Sequence, residues 1–210
     1  MNTRVQRGSL RRAAMTACTA AILALTLLRA TPAAPPTPPD PHDIAPNSLR
    51  ATPPASIAGP QVKVKRVEDI PIVTKTPYDA RLDVSAAVND ALARARRNGR
   101  RVLLDFGANW CPDCVLLANV MRLPEVDAFV RDHFEVVLID VGRFDKNLEI
   151  AKRFGVKGKL EGIPSVLVLD ASGRLLNPDR IAALADARSM TPQGIADCVA
   201  GWARITPAKR

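Results

Sequence analysis

Val102-Leu-Leu-Asp105-Phe-Gly-Ala-Asn-Trp110-Cys111-Pro-Asp-Cys114 decides how this sequence folds. From Arg101 to Phe106 the chain is short and apolar, and Gly107 closes the run, the pattern of a buried central strand. Cys111 to Met121 then reads as a helix, with Pro112 tolerated in a first turn whose N–H groups lack intrahelical partners. This junction sets Cys111 at a helix N-terminus, where the positive dipole end and free backbone N–H groups stabilise a thiolate. Cys114 lies one turn deeper on the same face. A Cys111 thiolate can open a disulfide and become joined to one of its sulfurs, and Cys114 can then displace that sulfur and close an internal bond. Zinc sites use the same cysteine spacing but take four ligands. There is no second Cys-x-x-Cys, and His42 and His133 lack ligand spacing, so no metal site is expected.

Working outward, Asp83 or Ser85 can cap a helix reaching about Asn98, with Val84, Val88, Ala91, Leu92 and Ala95 on one face and Gly99 at its end. After the cysteines, Pro124 should break the helix, and Glu125 to His133 continue as an amphipathic one. Phe134–Asp140 and Ser165–Asp170 read as further strands, with a short helix from Leu148 to Phe154 between them and a weak edge strand near Arg174–Leu176. Thr191-Pro192 opens a last helix, whose apolar face carries Ile195, Val199, Trp202 and the lone Cys198, expected to be a core thiol. Helices between apolar strands predict parallel crossovers, and the strand–turn–strand predicts an antiparallel edge, hence an α/β mixed sheet with helices on both faces.

The N-terminal quarter has a different character. Residues 1–30 carry Arg4, Arg7, Arg11, Arg12 and Arg29 and no acid, and Ala13–Leu28 is uncharged. This is the pattern of a secretory signal, expected over residues 1–33, with an uncleaved membrane anchor at residues 13–28 as the alternative. Cys18 would leave with a cleaved signal. Ten of the 18 prolines fall between Pro32 and Pro60, so residues 34–61 are expected to form a Pro-rich disordered linker. Residues 62–210 remain for one domain. The chain's net charge of +9 owes much to the five early arginines; without them 25 basic residues face 21 acidic ones, a net +4. With no basic run interleaved with aromatics, nucleic acid is not an expected partner.

Residues 102–114 resemble the active-site strand and helix of the thioredoxin family, and Gly162-Ile163-Pro164 before an apolar strand resembles that family's cis-proline segment. The resemblance covers about residues 82–206, and the Pro124-Glu-Val break and Asp140 are similar to the C-terminal thioredoxin-like domain of the periplasmic reductase DsbD. It implies a thioredoxin fold, with Cys111 as nucleophile and Cys114 as resolving thiol. It also implies that Asp105 is a buried carboxylate of raised pKa that accepts the Cys114 proton. Trp110 would pack beside the site and form, with Pro112, Asp113 and Ile163, the surface that meets substrate. Pro164, in the cis form, would present the Ile163 backbone to an incoming strand. The bland alternatives are an ordinary strand-end role for Asp105 and simple packing for Trp110.

Three positions depart from the family pattern. Val136 stands where thioredoxin usually has a lysine near the buried aspartate, Pro112-Asp113 replaces Gly-Pro, and Lys157–Glu161 lengthens the approach to Pro164, where it should border the substrate groove. Pro112 has no N–H to donate and Asp113 brings negative charge close to Cys111, so both disfavour the thiolate and point to a reductant. The expectation is therefore a periplasmic or otherwise exported, monomeric thiol–disulfide oxidoreductase. It would need no cofactor beyond the Cys111–Cys114 pair, act on protein disulfides, and draw electrons from a membrane thiol reductase. The alternative is a thioredoxin-like copper(I) metallochaperone, which lacks a nearby third ligand.

Overall fold

A computed structural model describes residues 57–206. The expected signal, Cys18 and the linker as far as residue 56 lie outside the described residues. Helix α1 (Val84–Asn98) begins where the Asp83 carboxylate accepts the Ala86 N–H at 3.0 Å and ends at Gly99, whose φ of 74° needs no Cβ. Strand β1 (Arg101–Gly107) is central. It pairs in parallel with β2 (Phe134–Asp140) and antiparallel with β3 (Ser165–Leu169), giving the order β2-β1-β3. Helices α2 (Pro112–Val120), α3 (Pro124–His133), α4 (Leu148–Arg153) and α5 (Pro192–Arg204) complete the fold, and Pro124 starts α3 where the expected break falls.

Two expectations need correction. The helix between β2 and β3 does not make a parallel crossover. α4 has six residues, about 9 Å of helix, whereas a strand of seven spans about 23 Å. The chain enters β3 at the end where it left β2: Ser165 faces Phe106, next to the pair Gly107–Asp140. Nor does Arg174–Leu176 form an edge strand; it makes a single bridge, Leu169 to Leu175. The Asn177 side chain supplants further pairing, accepting the Val168 N–H and donating to the Val166 carbonyl, both at 2.8 Å.

Both faces of the sheet are buried, as a period-2 alternation in a covered sheet requires. Val102, Leu104 and Phe106 pack with Val137, Ile139, Leu167 and Leu169 against α1 and α4. Leu103, Val166 and Val168 pack with Leu117, Val126, Ile195 and Val199 of α2, α3 and α5.

Residues 57–82 form a strap over this domain, and its first five residues fall within the expected linker. Pro60 is buried. Gln193 of α5 donates to the Pro60 carbonyl and accepts the Val62 N–H, and the Arg204 guanidinium donates to the Ile57 carbonyl at 2.7 Å. Further along, Val62 and Ile70 enter the α3–α5 core. Asn119, buried on α2, then holds the strap like a strand partner: its Oδ1 accepts the Val73 and Thr74 N–H groups at 2.7 and 3.0 Å, and its Nδ2 donates to the Thr74 and Val115 carbonyls at 2.9 and 2.8 Å. A carboxamide is needed because both a donor and an acceptor are used. Asn119→Ala should lower stability by about 2–3 kcal/mol, at about 1 kcal/mol per net hydrogen bond less what water recovers. Urea unfolding reads the loss, and hydrogen exchange should quicken first at Val73 and Thr74.

Candidate active site

β1 delivers the chain to Cys111, and the residue it delivers becomes the cap of α2. The Cys111 Sγ accepts the Cys114 N–H at 3.2 Å, doing for this helix what a serine or aspartate oxygen commonly does. Pro112 occupies the first helical position. Cys111 and Cys114 are joined in a disulfide, their Cα atoms 5.3 Å apart, and both are buried. The antiparallel entry of β3 brings the segment before it to the same end of the sheet. There the Ile163–Pro164 peptide bond is cis, and the Ile163 carbonyl oxygen lies 3.6 Å from the Cys111 Sγ. Sequence-distant residues 111 and 163 thus meet through β1–β3 pairing.

Trp110 is 48% exposed. Its Nε1 donates to the Gly142 carbonyl at 2.7 Å, its ring tilts against Phe144 at 6.4 Å, and the Arg143 guanidinium lies over it at 5.4 Å. With Ile72, Leu116 and Val67 from neighbouring elements, it lines a shallow groove that also includes Pro112. Asp113 is a different case. Its carboxylate turns away to Arg188, accepting the Arg188 N–H at 2.8 Å and the Nε–H at 3.1 Å, and it is nearly buried. The expected contact with substrate gives way to an ion pair tying α2 to the turn Ala187–Ser189, and the negative charge expected to act on Cys111 has a cation against it.

Asp105 has no exposed surface. Its neighbours in the sheet, Leu138 and Val166, are apolar, and Val136 pairs instead with Leu103. The polar partner is Tyr78, whose hydroxyl donates to Oδ2 at 3.0 Å; Oδ1 is buried with no hydrogen-bond partner. Burial pushes the Asp105 carboxyl up to about 7, against a smaller lowering by the Tyr78 hydrogen bond. Burial, and then the Asp105 charge, push the Tyr78 hydroxyl well up in turn. Sequence reasoning missed Tyr78 and Arg188. Tyr78 is the chain's one tyrosine, but no spacing rule links it to a strand 27 residues on.

Two further expectations concern Cys198 and the Lys157–Glu161 loop. Cys198 is half-buried on α5, packed against the core and not within it, and burial pushes its thiol up. Lys157, Lys159 and Glu161 line a groove of about 800 Å³ together with Pro178–Ala183, and neither cysteine of the pair is among its walls.

This sheet, with a cysteine pair in the first turn after its central strand, defines a thioredoxin-like protein. The family model described as thioredoxin-like matches residues 83–171. A disulphide isomerase from Xylella fastidiosa Temecula1 is 41% identical, with a TM-score of 0.56, over 60% of this chain and 95% of that one. The chain belongs to the thioredoxin-like family. The thioredoxin of Bacillus subtilis (strain 168) is 43% identical over 68 residues, 32% of this chain and 57% of that protein, so the match spans little more than half of that relative. The DsbD C-terminal domain of Neisseria meningitidis, in its oxidised form, is 29% identical over 43% of this chain and 78% of that one, at a TM-score of 0.33.

The Asp105 carboxyl makes a sharp prediction about pH. Its folded pKa of about 7 lies above its value in an unfolded chain, about 3.9. Between those values the native state holds a proton that the unfolded state has lost, so stability falls as pH rises from about 4 to about 7 and stays low above. Asp105→Asn removes the titration. The oxidised variant should be more stable than the parent by about 4 kcal/mol at pH 8, with the gap closing towards pH 4, in urea unfolding across pH.

Proposed function

We propose that this chain is an exported thiol–disulfide oxidoreductase whose redox centre is Cys111–Cys114. The observation that carries the reading is the pair's position: Cys111 caps α2, its Sγ already engaged by a backbone N–H, beside the Ile163 carbonyl. In the reduced protein the same N–H and the helix dipole favour the Cys111 thiolate. That thiolate attacks a substrate disulfide, joining Cys111 to one substrate sulfur and releasing the other as a thiolate. Deprotonated Cys114 then attacks the Cys111 sulfur, the internal disulfide forms, and the second substrate thiolate leaves. Two electrons pass from the dithiol to the substrate. Asp105 takes the Cys114 proton in this scheme, its buried carboxyl near 7 suiting a base at neutral pH. The groove of Trp110, Pro112, Leu116 and Ile72 receives apolar side chains of a protein client.

The direction of flow in this reading is reductive, with protein disulfides as clients and a membrane thiol reductase as donor. It rests on Pro112, which removes an N–H from the helix end facing Cys111. The basic, then apolar, N-terminus supports export, with residues 13–28 as an anchor if they are retained. Arg188 weakens the second support, because it offsets the Asp113 charge. That ion pair, with the likeness to a disulphide isomerase, favours isomerisation as the second reading. Copper(I) carriage has less behind it: among the described residues no third His, Cys, Asp or Glu gathers with the pair.

Two measurements test these readings. Cys111→Ser should abolish insulin reduction, whereas Cys114→Ser should accumulate mixed disulfides with clients, visible on non-reducing gels; trapping by Cys111→Ser would reverse the assignment. Equilibration with glutathione should give a potential near thioredoxin's roughly −270 mV, and a value above about −180 mV would overturn the reductant reading and leave an oxidase or isomerase in its place. Arg188→Gln should lower that potential by about 20–30 mV by leaving Asp113 unopposed near Cys111, and in an Asp113→Asn background it should change nothing.

A further inference from the structure

We propose that Tyr78 is a positioning residue for Asp105: its hydroxyl occupies Oδ2, so that Oδ1 is the oxygen left to take the proton of the resolving thiol. The inference rests on the reading of Asp105 as the proton acceptor and goes beyond it, because it makes the N-terminal strap part of the redox machinery.

Four independent features converge on this one hydroxyl. Tyr78 is 2% exposed, and its O–H donates to Asp105 Oδ2 at 3.0 Å, while Oδ1 is buried without a partner. Gly107 makes room for the ring: a Cβ there would stand 2.3 Å from the Tyr78 Cζ and hydroxyl oxygen, so no other residue fits without displacing it. Asn109, in the loop before Cys111, holds the tyrosine backbone at both ends, accepting the Tyr78 N–H at 3.0 Å and donating to the Tyr78 carbonyl at 2.9 Å. Asn119 anchors the strap just upstream through Val73 and Thr74. For packing alone a phenylalanine would serve better, because burying a hydroxyl against a carboxyl desolvates two polar groups.

The arrangement has a chemical consequence. A carboxylate free to turn could offer either oxygen; with one Oδ2 lone pair held by the Tyr78 donor, Oδ1 is the oxygen with both lone pairs open. The hydrogen bond also favours the charged carboxylate, the form that accepts a proton. The Cys114 S–H gives its proton to Oδ1, the Cys114 thiolate attacks the Cys111 sulfur of the mixed disulfide, and the departing substrate thiolate takes a proton from solvent. From the sheet, Leu138 and Val166 flank Asp105 and carry no charge. In the first turn of α2 the titratable groups are Cys114 and Asp113, and Asp113 is paired with Arg188. Tyr78 is the polar group acting on this carboxyl, against the effect of burial.

The test is the pH dependence of single-turnover insulin reduction by the pre-reduced full chain, compared for the parent, Tyr78→Phe, Asp105→Asn and the double variant. Tyr78→Phe keeps the ring and removes the donor. It should move the acid limb of the profile up by about one pH unit, roughly a tenfold slower rate below the midpoint, and leave the alkaline plateau unchanged. In the Asp105→Asn background it should shift nothing. Gly107→Ala, which displaces the ring without touching the hydroxyl chemically, should reproduce the Tyr78→Phe profile. A response to Asp105→Asn with none to Tyr78→Phe would overturn the Tyr78 inference alone, even if thermal stability fell. No response to Asp105→Asn would overturn the Asp105 reading and this inference with it.

Discussion

Everything at the site hangs from β1, a strand covered on both faces and paired on both edges. Such a strand leaves water no route to its side chains, so a carboxyl placed in it must sit in a medium that disfavours its charge. Asp105 is that carboxyl, and its raised pKa follows directly from its address. The strand's C-terminal end then fixes what comes next. Gly107 leaves the space that Tyr78 fills, and the chain turns to seat Cys111 as the cap of α2.

The architecture gathers chemistry at one end of the sheet by refusing to cross it. β3 starts where β2 stops, and the Ile163–Pro164 segment arrives beside Cys111. Cys111 at the start of α2 and the Ile163 carbonyl thus lie together, with the Trp110 ring exposed one residue before Cys111, while Asp105 and Tyr78 are buried.

Two polar contacts adjust that common plan. Arg188, in the turn before α5, holds Asp113 of α2, so this residue between the cysteines serves packing between α2 and that turn more than it serves the surface. The strap does the second adjustment. Two asparagines, one on α2 and one in the loop before Cys111, replace strand pairing with side-chain hydrogen bonds and bring the Tyr78 hydroxyl to Asp105. A neutral donor stabilises a carboxylate less than a cation would, and here burial outweighs it, so the carboxyl stays well above the usual carboxylate range.

The sequence by itself determined the elements and the cysteine pair. The α1 span from Asp83 to Gly99, the β2 span, the Pro124 start of α3 and the Thr191 cap are all local: a capping oxygen, a left-handed glycine or a missing N–H acts within a few residues, so its effect can be read in place. The same holds for Cys111, whose chemistry comes from its own helix end. What only the tertiary structure decided was which distant groups meet. The direction of β3 is set by its antiparallel pairing with β1. The Asp113–Arg188 pair and the Tyr78–Asp105 pair each span long stretches of chain and follow from packing, on which neither composition nor periodicity bears. Those long-range contacts settle the electrostatics around the cysteines, because charge acts through space, and distance in space is what a linear sequence does not record.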